Sequence, residues 1–162
     1  MNLKRSVIIA EIRSSRIKYQ HDVLGFNSRL DELQAAFLRA KLPYLDLDNK
    51  RRREIADLYS RGLRDVDITL PISPNYIDPV WHLYVIRVKE RALLQDRLFQ
   101  RGVGTLIHYP IPPHRQRAYA SFSKNMAPLA DKMAADVLSL PMVPYLSDSD
   151  VLYVIEVLRA SI

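Results

Sequence analysis

The sequence predicts an α+β domain, a short sheet packed with helices and led into by a long helix. Three observations point there. Residues 81–88, Trp-His-Leu-Tyr-Val-Ile-Arg-Val, concentrate aromatic and β-branched side chains as strands do. A helical stretch at 90–101 and a second extended run at 105–109 follow, giving a strand–helix–strand rhythm. Apolar residues also recur at helical spacing on either side of this segment, from Leu30 to Leu58 and from Val151 to Leu158. The chain has 162 residues, 48% of them hydrophobic and 26% charged. A chain this long buries roughly two-thirds of its unfolded surface, so a core needs no staple. Zero cysteines exclude a disulfide framework, a thiolate zinc site, a cysteine-ligated cluster and a Cys nucleophile.

The elements follow in order. Residues 3–15 show poor periodicity. Gly25-Phe26-Asn27 reads as a turn, and Ser28 to Asp31 as a capping box with Ser28 as N-cap. Leu30, Leu33, Phe37 and Ala40 then mark one helix face. Pro43 should kink or restart this helix, which continues through Tyr44, Leu47, Ile55 and Leu58 and ends near Gly62. Its basic run Lys50–Arg53 is followed by Glu54 and Asp57, a pattern that suits a salt-bridged face better than a phosphate track. Residues 65–80, with Pro71, Pro74 and Pro79, read as an extended connection. Gly102 and Gly104 end the helix at 90–101. Tyr109-Pro-Ile-Pro-Pro-His114 is a stiff turn, because three prolines fix three backbone dihedrals. Leu129, Met133, Val137 and Leu138 mark another helix, with a short extended piece at 138–142. Ser147 and Asp150 form a second capping box, opening a last helix that buries Val151, Val154, Ile155 and Leu158.

The net charge of +6 is compatible with an anionic ligand, but no basic stripe interleaved with aromatics is present, so nucleic acid is not an expected partner. No apolar run approaches a membrane span or a signal-peptide core, which suits a cytoplasmic protein. The four histidines, His21, His82, His108 and His114, lack metal-ligand spacing, so no metal site is expected. His108 and His114 flank the proline-rich turn, which either presents them in a defined pose or is a plain rigid surface turn. His82 reads as a core or edge histidine within the strand at 81–88, satisfied by a backbone carbonyl. Asn27-Ser28-Arg29 sits where a helix starts, and there anion binding and simple capping are both open. No phosphate loop, nucleophile elbow or zincin motif is present.

The stretch Gly25-Phe-Asn-Ser-Arg-Leu-Asp-Glu-Leu-Gln-Ala-Ala-Phe-Leu-Arg-Ala-Lys-Leu42 resembles the asparagine signature of the DegT-type sugar aminotransferases, pyridoxal-phosphate enzymes that aminate nucleotide-linked keto-sugars. Trp81-His82-Leu-Tyr-Val, Gly102-Val-Gly-Thr-Leu-Ile-His108-Tyr109-Pro-Ile-Pro-Pro-His114 and Leu138-Ser-Leu-Pro-Met142 are similar to three further family segments, in the same order. The likeness runs from about Arg16 to the end, and Ser15–Tyr19 resembles members that act on a thymidine-diphosphate keto-deoxyhexose.

The resemblance implies the C-terminal small domain of the aspartate-aminotransferase (type I) fold, with residues 1–26 as a lead, 27–64 as a kinked linking helix and 65–162 as the small α+β domain. It implies that Asn27 reaches across a dimer to the cofactor phosphate in the partner's site, that Arg29 either helps there or pins the subunit interface by a salt bridge to a carboxylate, and that His108, Tyr109, His114 and His82 contact substrate. The implied partners are a nucleotide-linked keto-sugar, glutamate as amino donor, and a second copy or a missing N-terminal half. The family's aldimine lysine lies upstream of the asparagine signature and is not recognised here, so no catalytic residue is assigned. This chain alone is expected neither to bind pyridoxal phosphate nor to turn over. A non-catalytic dimerisation or regulatory module, half of a split enzyme, and descent from the family's dehydratase branch remain alternatives.

Overall fold

The computed structural model describes residues 31–121 and 127–162. The described residues fall into two compact units. One comprises 39–108 with 136–162, and the other 31–38 with 109–121 and 127–135.

Helix α1 spans Glu32–Lys41 and α2 spans Leu45–Gly62, joined by a 3-10 turn at Leu42–Tyr44. Pro43 sits inside that turn, where a missing amide donor costs least. Ser28 lies outside the described residues. Asp31 accepts from the Gln34 amide at 2.8 Å and so caps the start of α1. None of α1 is buried, and Leu33 and Phe37 stay 67% and 64% exposed. The apolar exposure continues through Leu42, Tyr44 and Leu47.

The larger unit carries the main core. Ile55, Ala56 and Tyr59 from α2, with Leu63 just beyond its end, meet Tyr84 and Ile86 of strand β1 (Tyr84–Arg87), Leu94 and Leu98 of helix α3 (Arg91–Gln100), and the inner face of the last helix. Two members of the basic run of α2 are ion-paired: Arg51 bonds Glu54 at 3.2 Å and Asp148 at 2.7 Å, and Arg53 lies 3.6 Å from Asp78, while Arg52 donates to Asn49 at 3.3 Å. Helix α3 stops where Gly102 takes a left-handed φ of 74°, letting the Val103 amide return to the Leu98 carbonyl.

The sheet differs from the expected strand–helix–strand unit. The partner of β1 is β2 (Val137–Leu140), antiparallel, with Tyr84 opposite Leu140 and Arg87 opposite Val137. The run at 105–109 supplies only a bridge, Leu106 to Ser139, and Thr69 bridges Arg87. All four β2 residues are buried, which is why Val-Leu-Ser-Leu shows no alternation. Strand β1 is also shorter than expected, because Trp81 has a left-handed φ of 51° that breaks the extended run ahead of Tyr84. The Trp81 ring, 5.4 Å from that of Tyr84, holds it there.

Helix α4 (Pro128–Asp136) precedes β2, and α5 (Asp148–Arg159) closes the chain. Its capping box forms as read: Ser147 Oγ accepts from the Asp150 amide, and Asp150 accepts from the Ser147 amide. Helix α5 buries Val151, Val154, Ile155 and Leu158 against α2. Gly62 is what permits that approach. A Cβ there would stand 2.8 Å from Ile155 Cδ1 and 2.9 Å from its Cγ2. Below the contact, Arg159 bonds Asp65 at 2.6 Å and the Gly62 carbonyl at 2.7 Å. That guanidinium lowers the Asp65 carboxyl to about 2.

Candidate functional site

The proline-rich turn is closed by its own local contacts. Bends at 110 and 111 lead into a 3-10 turn at Pro113–Arg115, closed by the Arg115 amide on the Pro112 carbonyl at 2.9 Å. Gln116, 7% exposed, donates its side-chain amide to the Ile111 carbonyl at 3.3 Å and so ties the turn from inside. A second 3-10 turn, Arg117–Tyr119, follows.

The half-buried His108 lies 2.9 Å through Nδ1 from the Ser139 hydroxyl in the middle of β2. Ser139 is itself 3% exposed, so a buried group on the sheet sets the imidazole. Tyr109 is exposed at the start of the turn. His114 belongs to the other compact unit, where its Nε2 lies 2.9 Å from Asp131 Oδ1. Arg115 grips the same carboxylate with both ends of its fork, Nε on Oδ1 at 3.0 Å and Nη2 on Oδ2 at 2.7 Å. The Arg115 guanidinium, with His114 as a lesser partner, holds the Asp131 carboxyl down at about 2. His82 lies outside β1 and is exposed, which corrects the expectation of a strand histidine: the left-handed turn at Trp81 ejects it before the ladder begins. Asn27 and Arg29 lie outside the described residues.

Sequence reasoning does not single out Ser139, Asp131 or Arg115. A signal exists for the first, a lone hydroxyl in an otherwise apolar buried run. Among the described residues no cluster of His, Asp and Glu has metal-ligand geometry, and no helix is long and apolar enough to cross a membrane.

A pyridoxal phosphate pocket requires a lysine held away from water at the cofactor carbonyl. The four described lysines, Lys41, Lys50, Lys89 and Lys132, are all exposed. The described residues therefore do not themselves fit that cofactor.

Comparison with known proteins supplies the wider frame. The model of the DegT/DnrJ/EryC1/StrS aminotransferase family matches residues 7–159. The chain is 47% identical over 142 residues to dTDP-3-amino-3,6-dideoxy-alpha-D-galactopyranose transaminase of Aneurinibacillus thermoaerophilus, covering 88% of this chain and 39% of that protein. Among solved structures, DesV of S. venezuelae in complex with a ketimine intermediate superposes with a TM-score of 0.77 at 42% identity, over 97% of this chain and 43% of that one. NtdA from Bacillus subtilis with bound cofactor PMP superposes with a TM-score of 0.73 at 31% identity, over 90% of this chain and 35% of that one. The chain thus spans about two-fifths of the length of the relatives it matches. The α+β fold is that of the corresponding part of these two structures. On the strength of that match the chain belongs to the DegT/DnrJ/EryC1/StrS aminotransferase family.

Proposed function

We propose that these residues form the C-terminal, substrate-side part of a pyridoxal-phosphate-dependent aminotransferase that aminates a keto-deoxysugar carried on a nucleotide, with glutamate as amino donor. In this reading residues 27–64 link the cofactor-binding part to a small domain at 65–162, and a second copy completes each site. His108, Tyr109, His114 and His82 contact the sugar nucleotide, and Asn27, with Arg29, contacts the cofactor phosphate. The cofactor supplies the exchange of the amino group when bound. This chain's own residues contribute binding and orientation.

The observation that supports the reading best is that two of the histidines are each held by a side chain of their own unit. His108 is tied to β2 and His114 to α4, so two imidazoles are held by structure rather than left to solvent. Side chains ordered in advance lose less entropy on gripping a ligand. The apolar run Leu33, Phe37 and Leu42 supports the same reading, since a face this exposed suits packing against further protein. Because the described lysines are all exposed, we propose that residues 1–162 alone bind no stoichiometric cofactor and transfer no amino group.

The test is a pyridoxal phosphate titration of the purified chain with borohydride trapping and intact mass, followed by an amination assay on a dTDP-linked 3-keto-6-deoxyhexose. The assay is run with the chain alone and with the chain joined to the cofactor-binding part of a relative. The expected result is no adduct and no product alone, and amino-sugar product from the joined protein, reduced on the order of tenfold or more by His108→Ala. A single adduct, or turnover by the chain alone, overturns the claim of inactivity. A joined protein that binds cofactor yet leaves the keto-sugar untouched overturns the substrate class.

A further inference from the structure

We infer that Asp131 is a positioning residue that turns His114 into a hydrogen-bond acceptor for a hydroxyl of the sugar. The inference rests on the reading above for the identity of the ligand, but its first half is a statement about this chain alone.

The geometry is a three-way junction. His114 sits on the 3-10 turn Pro113–Arg115, and Asp131 sits in the first turn of α4. The Asp131 amide donates to the Ala127 carbonyl, so the backbone beneath the carboxylate is fixed by the helix. The Arg115 fork occupies both carboxylate oxygens and sets the plane of the group. His114 Nε2 then meets Oδ1 at 2.9 Å, with its side chain only 19% exposed.

An ionised carboxylate accepts and never donates. Nε2 must therefore carry a proton at every pH where Asp131 is charged. In the neutral imidazole that leaves Nδ1 as a bare lone pair, and no donor among the described residues reaches it. A ring in this state repels the oxygens of a phosphate and welcomes an O–H. On a nucleotide-linked hexose, it selects the sugar rather than the diphosphate. Nothing in the turn's sequence reveals this, since Asp131 lies 17 residues beyond His114.

Nitrogen-15 NMR of the full chain, at a pH where His114 is neutral, tests both halves. The expected signature is an imidazole N–H slow enough to observe on Nε2, with Nδ1 unprotonated. Asp131→Ala should lose that N–H, while Asp131→Glu, which keeps a carboxylate, should retain it. A helix-packing role alone would not sort the two variants this way. Should Asp131→Ala lose its fold, as judged from the dispersion of core amides, the wild-type and Asp131→Glu spectra carry the test. A proton on Nδ1 in the wild type, or an unchanged Nε2–H in a folded Asp131→Ala, overturns the inference.

The second half is read by titrating dTDP-glucose and dTDP. The Nδ1 resonance should move with dTDP-glucose and not with dTDP, and Asp131→Ala should weaken dTDP-glucose binding roughly tenfold, the worth of one hydrogen bond. Movement with dTDP alone overturns the hydroxyl assignment. No movement with either, in a protein showing the expected Nε2–H, leaves Asp131 in its role and overturns the sugar-nucleotide reading instead.

Discussion

Replacing Gly62 with alanine probes the close approach of α2 to α5. Two effects oppose each other. Alanine favours a helix and restricts the unfolded chain, for a gain of at most about 1 kcal/mol. Against this, the new methyl would meet Ile155 at 2.8 Å and 2.9 Å, inside any relaxed carbon–carbon distance. Ile155 is 6% exposed in the core, so it yields only by straining its rotamer or separating α2 from α5. Overpacking of this kind costs about 1–3 kcal/mol. The clash therefore wins, and Gly62→Ala should destabilise by about 1 kcal/mol net. Both close atoms belong to Ile155, so truncating that residue should remove the conflict. Ile155→Ala alone should cost about 2–5 kcal/mol through the cavity it leaves. In the double variant the three atoms nearest the new methyl are gone, so the total cost should fall short of the sum of the singles by the whole cost of the clash, about 2 kcal/mol. Urea unfolding of the four proteins, with slopes checked for constancy, measures the cycle. A Gly62→Ala protein as stable as wild type, or a coupling indistinguishable from zero, would refute the claim that glycine is there for closeness.

Acid should weaken the fold through two carboxylates. Asp65 and Asp131 titrate near 2 in the folded chain, against an ordinary value of about 4, because Arg159 and Arg115 hold them charged. Folded pKa values below the unfolded ones mean stability that is present above about pH 4 and lost as pH falls towards 2. Urea midpoints at successive pH values should show a shallower acid loss in Asp65→Asn with Asp131→Asn than in wild type, and parallel profiles would contradict this. The exposed face of α1 should drive association. Leu33→Glu with Phe37→Glu should lower the mean sedimentation coefficient at high protein concentration, and an unchanged distribution would show that this face is not the contact.

Much of the architecture is legible in the sequence because it rests on local chemistry. The capping box at Ser147 and Asp150 forms between residues three apart, and Pro43 must interrupt its helix wherever the chain goes. Paired charges after Lys50 are readable for the same reason, although Arg51 also finds Asp148, which no spacing announces. The sheet is less legible. Val137–Leu140 is a short apolar run that pairs with a strand some fifty residues earlier, and periodicity carries no information about such partners. His82 is misplaced by sequence reasoning because one left-handed residue, Trp81, ends a run that composition alone would continue. At the site, the turn and its histidines are visible, since prolines declare stiffness. The groups that orient them, Ser139 and Asp131, come from 31 and 17 residues away and become visible only once the chain has folded.

The bridge between Leu106 and Ser139 has a consequence for how the chain can vary. The chain leaves the sheet just after one bridging residue and re-enters it at Val137, beside the other. The excursion 109–135 thus begins and ends at neighbouring points on one rigid frame. Loops with their ends held together tolerate lengthening cheaply, about 0.6 kcal/mol for each doubling. Insertions in the irregular stretches of that segment therefore leave the core of α2, α5 and the two strands its own packing. The segment carrying Tyr109 and His114 is in this sense a cartridge, exchangeable between family members without redesign of the sheet it is strung from.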